Sequence, residues 1–355
     1  MLCWGSNQSG QLGNGTTTNS TTPVRVIGLP SGVVAITAGQ NFTCALTRAG
    51  GVLCWGSNTH TGALGNGTTT DSHVPVQVLD LTGKATLSGV IAISAGNFHA
   101  CALTSTGAVL CWGSDGVDTT NIPVDGFGLS NDVAAISAGN LFTCAVTASG
   151  NAQCWGAGFD GQLGNGNNYN TDTGVAVLNP AGSAPLSGVT AIAAGYDDAC
   201  AVTSSGTVLC WGGDGAGELG NGTPSSTPSN IPTRVLDLTG KSALTGIAAV
   251  SEGQQHTCAL TNAGAELCWG DNAYGALGDP GVFIAITPVP VSGVSSGVTA
   301  IAAGFHHNCA VTSEGGVLCW GFNMDGQLGN GSSIRAFMTP VAVVGVGGVG
   351  LLHLF

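Results

Sequence analysis

TCALTRAGGVLCWG, residues 43–56, sets two cysteines ten positions apart around a glycine and follows the second with tryptophan. The frame returns as ACALTSTGAVLCWG (100–113), TCAVTASGNAQCWG (143–156), ACAVTSSGTVLCWG (199–212), TCALTNAGAELCWG (257–270) and NCAVTSEGGVLCWG (308–321). Placing Cys44 opposite Cys54 puts Ala45 against Leu53, Leu46 against Val52 and Thr47 against Gly51. A three-residue turn, Arg48-Ala49-Gly50, is left over. Its last residue is glycine in every copy: Gly50, Gly107, Gly150, Gly206, Gly264 and Gly315. That is the chemistry of a type I turn closed by a left-handed residue, so each frame reads as a β-hairpin. Counting from the turn makes the cysteines a non-hydrogen-bonded pair with Cα atoms about 4.5 Å apart.

That separation sits at the lower edge of what a disulfide spans. The expected bridges are Cys44–Cys54, Cys101–Cys111, Cys144–Cys154, Cys200–Cys210, Cys258–Cys268 and Cys309–Cys319; reduced, buried cross-strand thiols are the alternative. Each bridge closes a short loop, so its stabilisation is at most roughly 2–3 kcal/mol. Zinc sites typically use closely spaced CxxC pairs, and no CxxC occurs, so no metal is expected.

Outward from the hairpin, the tripeptide CWG ends at Gly5, Gly56, Gly113, Gly156, Gly212, Gly270 and Gly321 and accounts for all seven tryptophans. Its spacing runs from 43 residues (Gly113 to Gly156) to 58 (Gly212 to Gly270), a period associated with propeller blades. Each unit reads as an apolar stretch such as VVAITAG (33–39), the CAxT strand, the VLCWG strand, a glycine-rich loop and a PVxV segment. These are short runs bounded by Gly, Asn and Pro, without a sustained 3.6-residue pattern. The loop after CWG repeats as GQLGNG (10–15, 161–166, 326–331), GALGNG (62–67), GELGNG (217–222) and GALGDP (275–280). Its leucine is expected to plug the seam between blades, and the repeated tryptophan to pack. The third unit lacks this loop, running CWGSDGVDTTNIPV.

The 355 residues are 43% hydrophobic and 7% charged, with 60 glycines, which describes a folded, turn-rich chain and not a disordered one. The bases behind the net charge of −13 are Arg25, Arg48, Lys84, Arg234, Lys241 and Arg335. They are scattered, so no stripe exists to neutralise phosphates, and nucleic acid is not an expected partner. No apolar run is long enough to span a membrane. The start, MLCWGSNQSG, is not a signal peptide; with so many cysteines the expectation is an extracellular or cell-surface protein given as a fragment, a mature form or a domain cut from a longer one, and a monomer or a module of a larger chain.

The frame AGxxHTCALTxxGxVLCWGxNxxGQLGNG, seen at 252–278 as EGQQHTCALTNAGAELCWGDNAYGALG, resembles the regulator-of-chromosome-condensation repeat family along essentially the whole chain. The resemblance implies a seven-bladed β-propeller. The expected fold is therefore all-β, a single domain over 1–355 with four-stranded blades. It divides into a partial repeat (1–29), full repeats at 33–89, 90–132, 133–188, 189–246, 247–297 and 298–344, and a partial strand at 345–355. The partner of Cys3 would lie ten residues upstream, so the closing blade is expected to lack its Cys-bearing strand and Cys3 to be unpaired. Light-sensing members of this fold carry tryptophans between the AG and the HT; these positions hold none.

Candidate functional positions vary while the frame around them stays constant. The triplets before the Cys strand are Gln40-Asn41-Phe42, Asn97-Phe98-His99, Asn140-Leu141-Phe142, Tyr196-Asp197-Asp198, Gln254-Gln255-His256 and Phe305-His306-His307. If each turns between its blade's first two strands, all lie on one face, and aromatic and amide side chains there suit a protein partner. The alternative is that the aromatics tuck under neighbouring blades. A position held by His, Phe or Asp in different copies is no common ligand or base. Gly240-Lys241-Ser242 is not a phosphate-binding loop, because Val235 stands where its first glycine should be. No nucleophile–base–orienter trio assembles, and no cofactor is expected. The function read from the sequence is a non-enzymatic binding scaffold, likened to secreted bacterial family members. The alternatives are a guanine-nucleotide exchange factor for a small GTPase, implied by the resemblance, and a carbohydrate-binding or polymer-hydrolysing propeller resting on Asp197 and Asp198.

Overall fold

The computed structural model describes residues 1–354 apart from 126, 130 and 224–226. The first strands, β1 (Leu2–Gly5) and β2 (Ser20–Arg25), form a two-stranded antiparallel sheet. The first full blade follows as β3 (Val33–Ala38), β4 (Phe42–Thr47), β5 (Val52–Gly56) and β6 (Ser72–Gln77), hydrogen-bonded in that order. Five more four-stranded sheets repeat the pattern, their first strands starting at Val90, Val133, Val189, Ile247 and Val298.

The hairpin at the heart of each blade has the register expected from its turn: Cys44 faces Cys54, Ala45 faces Leu53 and Leu46 faces Val52. Thr47 N–H donates to Gly51 O at 2.9 Å, and Gly50 holds φ at 81°, where a side chain would be strained. All six cysteine pairs are disulfides with Cα atoms 4.1 Å apart. Cys3 is free and half-buried.

A seventh four-stranded blade is not present among the described residues. The place between the last blade and the first is taken by the β1–β2 sheet. On one side, Trp4 Nε1 donates to Gln327 O and Gly331 N–H to Thr21 O. On the other, Trp55 Nε1 and Thr43 Oγ1 both donate to Gln11 O. The physical reason is the inventory of strands: this unit has a CWG strand and an outer strand, and no CAxT strand pairs with β1. The chain's last stretch forms a short 3₁₀ turn (Val346–Gly348) and isolated bridges, Val344 to Leu351 and Gly316 to His353, where a strand was expected.

Two devices join the blades. The innermost strands line a central channel, and a hydroxyl on one accepts the N–H of an alanine on the next. Thr37 takes Ala95, Ser94 takes Ala138, Ser137 takes Ala194 and Ser251 takes Ala303, at 2.8–3.0 Å. At the seams, the loop leucines Leu64, Leu163, Leu219 and Leu277 are buried against Trp112, Trp211, Trp269 and Trp320. The residue before each leucine accepts that tryptophan's N–H through its carbonyl: Ala63, Gln162, Glu218 and Ala276. Where the loop is missing, Trp155 instead stacks on Phe127, ring centroids 5.3 Å apart.

Candidate functional site

Antiparallel order puts the triplets and the loops after CWG at one end of the ring, here the upper face, and the TxxG turns and blade connections at the other. The triplets clip neighbouring blades together: Gln40 N–H reaches Asn97 O, Asn97 N–H reaches Gly139 O, Asn140 N–H reaches Gly195 O, and Gln254 N–H reaches Phe305 O.

The structure splits each triplet. Gln40, Asn41 and Gln255 are exposed, as is Phe305 at 37%, while Asn97, Phe98, Asn140, Leu141, Tyr196, Asp197, Gln254 and His306 are half-buried. The third residue is different. Phe42, His99, Phe142, Asp198 and His256 are 0–2% exposed, and His307 is half-buried. All six triplets stand at the upper end, and at the third position the alternative reading holds, in which the side chain tucks under the neighbouring blade. The third residue opens the second strand, so strand alternation turns it into the seam. There His99 Nε2 and the Thr143 hydroxyl are hydrogen-bonded at 2.8 Å, and His256 Nε2 pairs with Asn308 Oδ1 at 3.2 Å. Burial pushes both histidines down to about 4, so both are neutral.

On the upper face, aromatic rings join across blades four to six. Tyr196 meets Phe305 edge-on at 5.9 Å, Phe305 meets His306 at 5.0 Å, and His306 lies 4.8 Å from Tyr274. Tyr274 in turn meets Phe322 at 5.2 Å and carries the Arg335 guanidinium 5.3 Å from its ring centre. Tyr274, Phe322 and Arg335 lie in or beside loops after CWG, outside the triplets. Their signal in the sequence was the aromatic residue at a loop position filled by small or polar residues elsewhere. Tyr196, Phe305 and His306 also stand at the central channel, part of a cavity of about 930 Å³ that includes Glu252 and Asp325.

A set of carboxyls lies at the seam of blades four and five. Asp198 occupies the place of Phe42, and Glu252 the place of the small alanine Ala38. Among the described residues no donor reaches Asp198 except across to Glu252, with which it shares the seam; Glu252 Oε2 accepts from the Thr257 hydroxyl. Burial, then the Glu252 charge, holds Asp198 well above the usual carboxylate range, and burial pushes Glu252 up to about 8. Asp197, more open, is pushed up to about 6 by burial and by Glu218 and Asp160. Asp198 is sealed at 1% exposure, so Asp197 and Asp198 do not form an open catalytic pair. Glu252 lies near the sulfurs of Cys200 and Cys210, and Glu266 near those of Cys258 and Cys268, but both sulfur pairs are disulfides with no thiolate to offer a metal. At Gly240-Lys241-Ser242 the N–H groups of Lys241 and Ser242 point to Asp237 Oδ1, so a carboxylate already fills the turn.

Six four-stranded sheets side by side around a channel, with a loop-rich face, define a β-propeller. The chain belongs to the regulator of chromosome condensation (RCC1) repeat family. One repeat model matches residues 1–46, 49–103, 205–260, 264–311 and 314–352, and a second matches 33–61, 90–117, 133–162, 189–218, 247–276 and 298–327. It is 29% identical to the ultraviolet-B receptor UVR8 of Arabidopsis thaliana over 97% of this chain and 66% of the receptor. It is 31% identical to the E3 ubiquitin-protein ligase HERC2 of Homo sapiens over 98% of this chain, but spans 6% of that protein. The human regulator of chromosome condensation is 28% identical over 97% of this chain and 85% of its own length. Among solved structures, Prp20p from Saccharomyces cerevisiae superposes with a TM-score of 0.83 at 21% identity, covering 97% of this chain and 86% of its own. Human WBSCR16 gives 0.82 at 21% identity, covering 98% and 94%.

Proposed function

We propose that this propeller is a non-enzymatic scaffold that binds another protein through its upper face. The observation that carries the reading is the partly exposed aromatic chain from Tyr196 to Phe322, mounted on loops clipped to rigid blades. Aromatic residues held in place are the side chains that contribute most at protein interfaces. The family supports this, since the structure of Prp20p is described with its binding to Gsp1p and histones. The β1–β2 sheet is read as the outer half of a seventh blade, because it keeps the same seam contacts as the full blades. The setting is an oxidising one, extracellular or at the cell surface, in keeping with six disulfides.

A photo-crosslinking residue at position 305 is expected to capture a partner that the same residue at Ala49, on the lower face, does not. Equal capture from both positions, or capture from position 49 alone, refutes the reading.

A further inference from the structure

We propose that the upper face of blades four to six takes a protein segment rich in arginine and lysine, whose cationic side chains lie on the aromatic chain between Asp197 and Asp271. This rests on the docking role above and names the chemistry of the partner. Three observations point to it.

The first is the ring chain itself. Tyr196 meets Phe305, Tyr274 meets Phe322 and Phe305 meets His306 edge-on, and each of these rings is at least partly exposed, the kind of surface on which a cation can rest. The second is Arg335. Its guanidinium already sits over the Tyr274 ring, so this surface holds one cation of the kind proposed. The third is the division of charge between the two ends of the ring. Upper loops and triplets carry Asp115, Asp160, Asp197, Asp214, Asp271 and Asp325, and Arg335 is the one lysine or arginine among them. Lys84 and Lys241 lie in the lower connections, Arg48 in a lower turn, and Arg25 and Arg234 at the lower ends of outer strands. The lower end also carries Asp80, Asp132, Asp237 and Glu314 beside these bases, whereas the upper end sets its acids against Arg335 alone, and three of those acids lie beside the aromatic rings. Asp197 adjoins Tyr196, Asp271 acts on the charge of His306, and Asp325 lines the same cavity as Phe305 and Phe322. An acidic segment would be repelled from this face, and a purely apolar one would leave the acids without partners.

The test uses the full chain and fluorescein-labelled peptides of alternating arginine and serine, of glutamate and serine, and of leucine and serine, read by anisotropy. The arginine peptide is expected to bind, more weakly as salt rises. Affinity should fall about tenfold in Asp197→Asn/Asp271→Asn and again in Phe305→Ala, and hold in Glu314→Gln on the lower face. Near-ultraviolet circular dichroism checks that each variant is folded, and the conservative Asp→Asn pair keeps the test open if Phe305→Ala is not. Binding of the glutamate or leucine peptide as tight as the arginine peptide overturns the proposal. So does an arginine-peptide affinity unmoved by the upper-face variants, or no binding. If position 305 captures a partner while the arginine peptide fails, the docking face stands and the basic partner falls. If the partner is captured from position 49, the docking reading itself fails.

Discussion

Asp214 shows how one atom can leave a repeated loop unsatisfied. In the first blade Asn58 fills this place: Oδ1 accepts from Leu64 N–H, and Nδ2 donates to the carbonyls of Thr68 and Thr70. Asn7, Asn272 and Asn323 repeat the Oδ1 contact with Leu12, Leu277 and Leu328. Asp214 keeps the bond from Leu219 N–H, but among the described residues its buried Oδ2 has no donor, and burial pushes the carboxyl up to about 6. Asp214→Asn is expected to raise stability at pH 8 by about 1 kcal/mol, read as a higher urea midpoint. The gain should shrink at pH 5, where the protonated carboxyl can itself donate. Glu252 and Glu266, both raised to about 8 by burial, act in the same direction. Protonated, they avoid the cost of a buried charge. As pH climbs from the ordinary glutamate range toward 8, the unfolded chain ionises first and stability falls, by on the order of 1 kcal/mol per unit for each group. Denaturation midpoints should therefore drop between about pH 7 and pH 8, above the range in which the buried neutral histidines act in the opposite sense, and Glu252→Gln or Glu266→Gln should flatten that slope.

At the scale of elements, the hairpin was legible because its constraints are local. The turn glycine, the facing cysteines and period-two alternation all lie within fourteen residues. The seam leucine was legible through repetition. What filled a seam where the loop was absent was not: Phe127 lies outside the repeated frame, and only folding brings it to Trp155. Phe127→Ala is expected to cost about 2–4 kcal/mol, measured by urea denaturation. An alanine in place of Phe159, which is 67% exposed, should cost little. Which triplet residues are buried stayed open in the sequence for a related reason. Sequence placed them beside a turn, but whether a residue beside a turn faces solvent or a neighbouring blade depends on the twist and packing of that neighbour.

The whole molecule is a row of like blades, four neighbouring pairs joined on the inside by a hydroxyl-to-amide clasp and the seams closed by a tryptophan-to-carbonyl bond, except where Trp155 stacks on Phe127. Its closure depends on the β1–β2 sheet, which holds the last blade through Trp4 and the first through Gln11. Alkylation of the unfolded, unreduced protein is expected to modify one thiol, that of Cys3. In the folded protein that reaction should be slow, because burial pushes the Cys3 thiol up to about 11. Mass spectrometry with iodoacetamide reads both, and more than one modified thiol would show bridges left open. The sequence by itself determined the all-β class, the repeat, the hairpin register and the cysteine pairing, since residues close along the chain impose these. The tertiary structure decided that six blades are complete, that the third triplet residues are buried, that Asp198 and Glu252 share a seam, and that Tyr196 meets Phe305. Those contacts join residues tens of positions apart across blades, where ring packing, and not local pattern, chooses the neighbour.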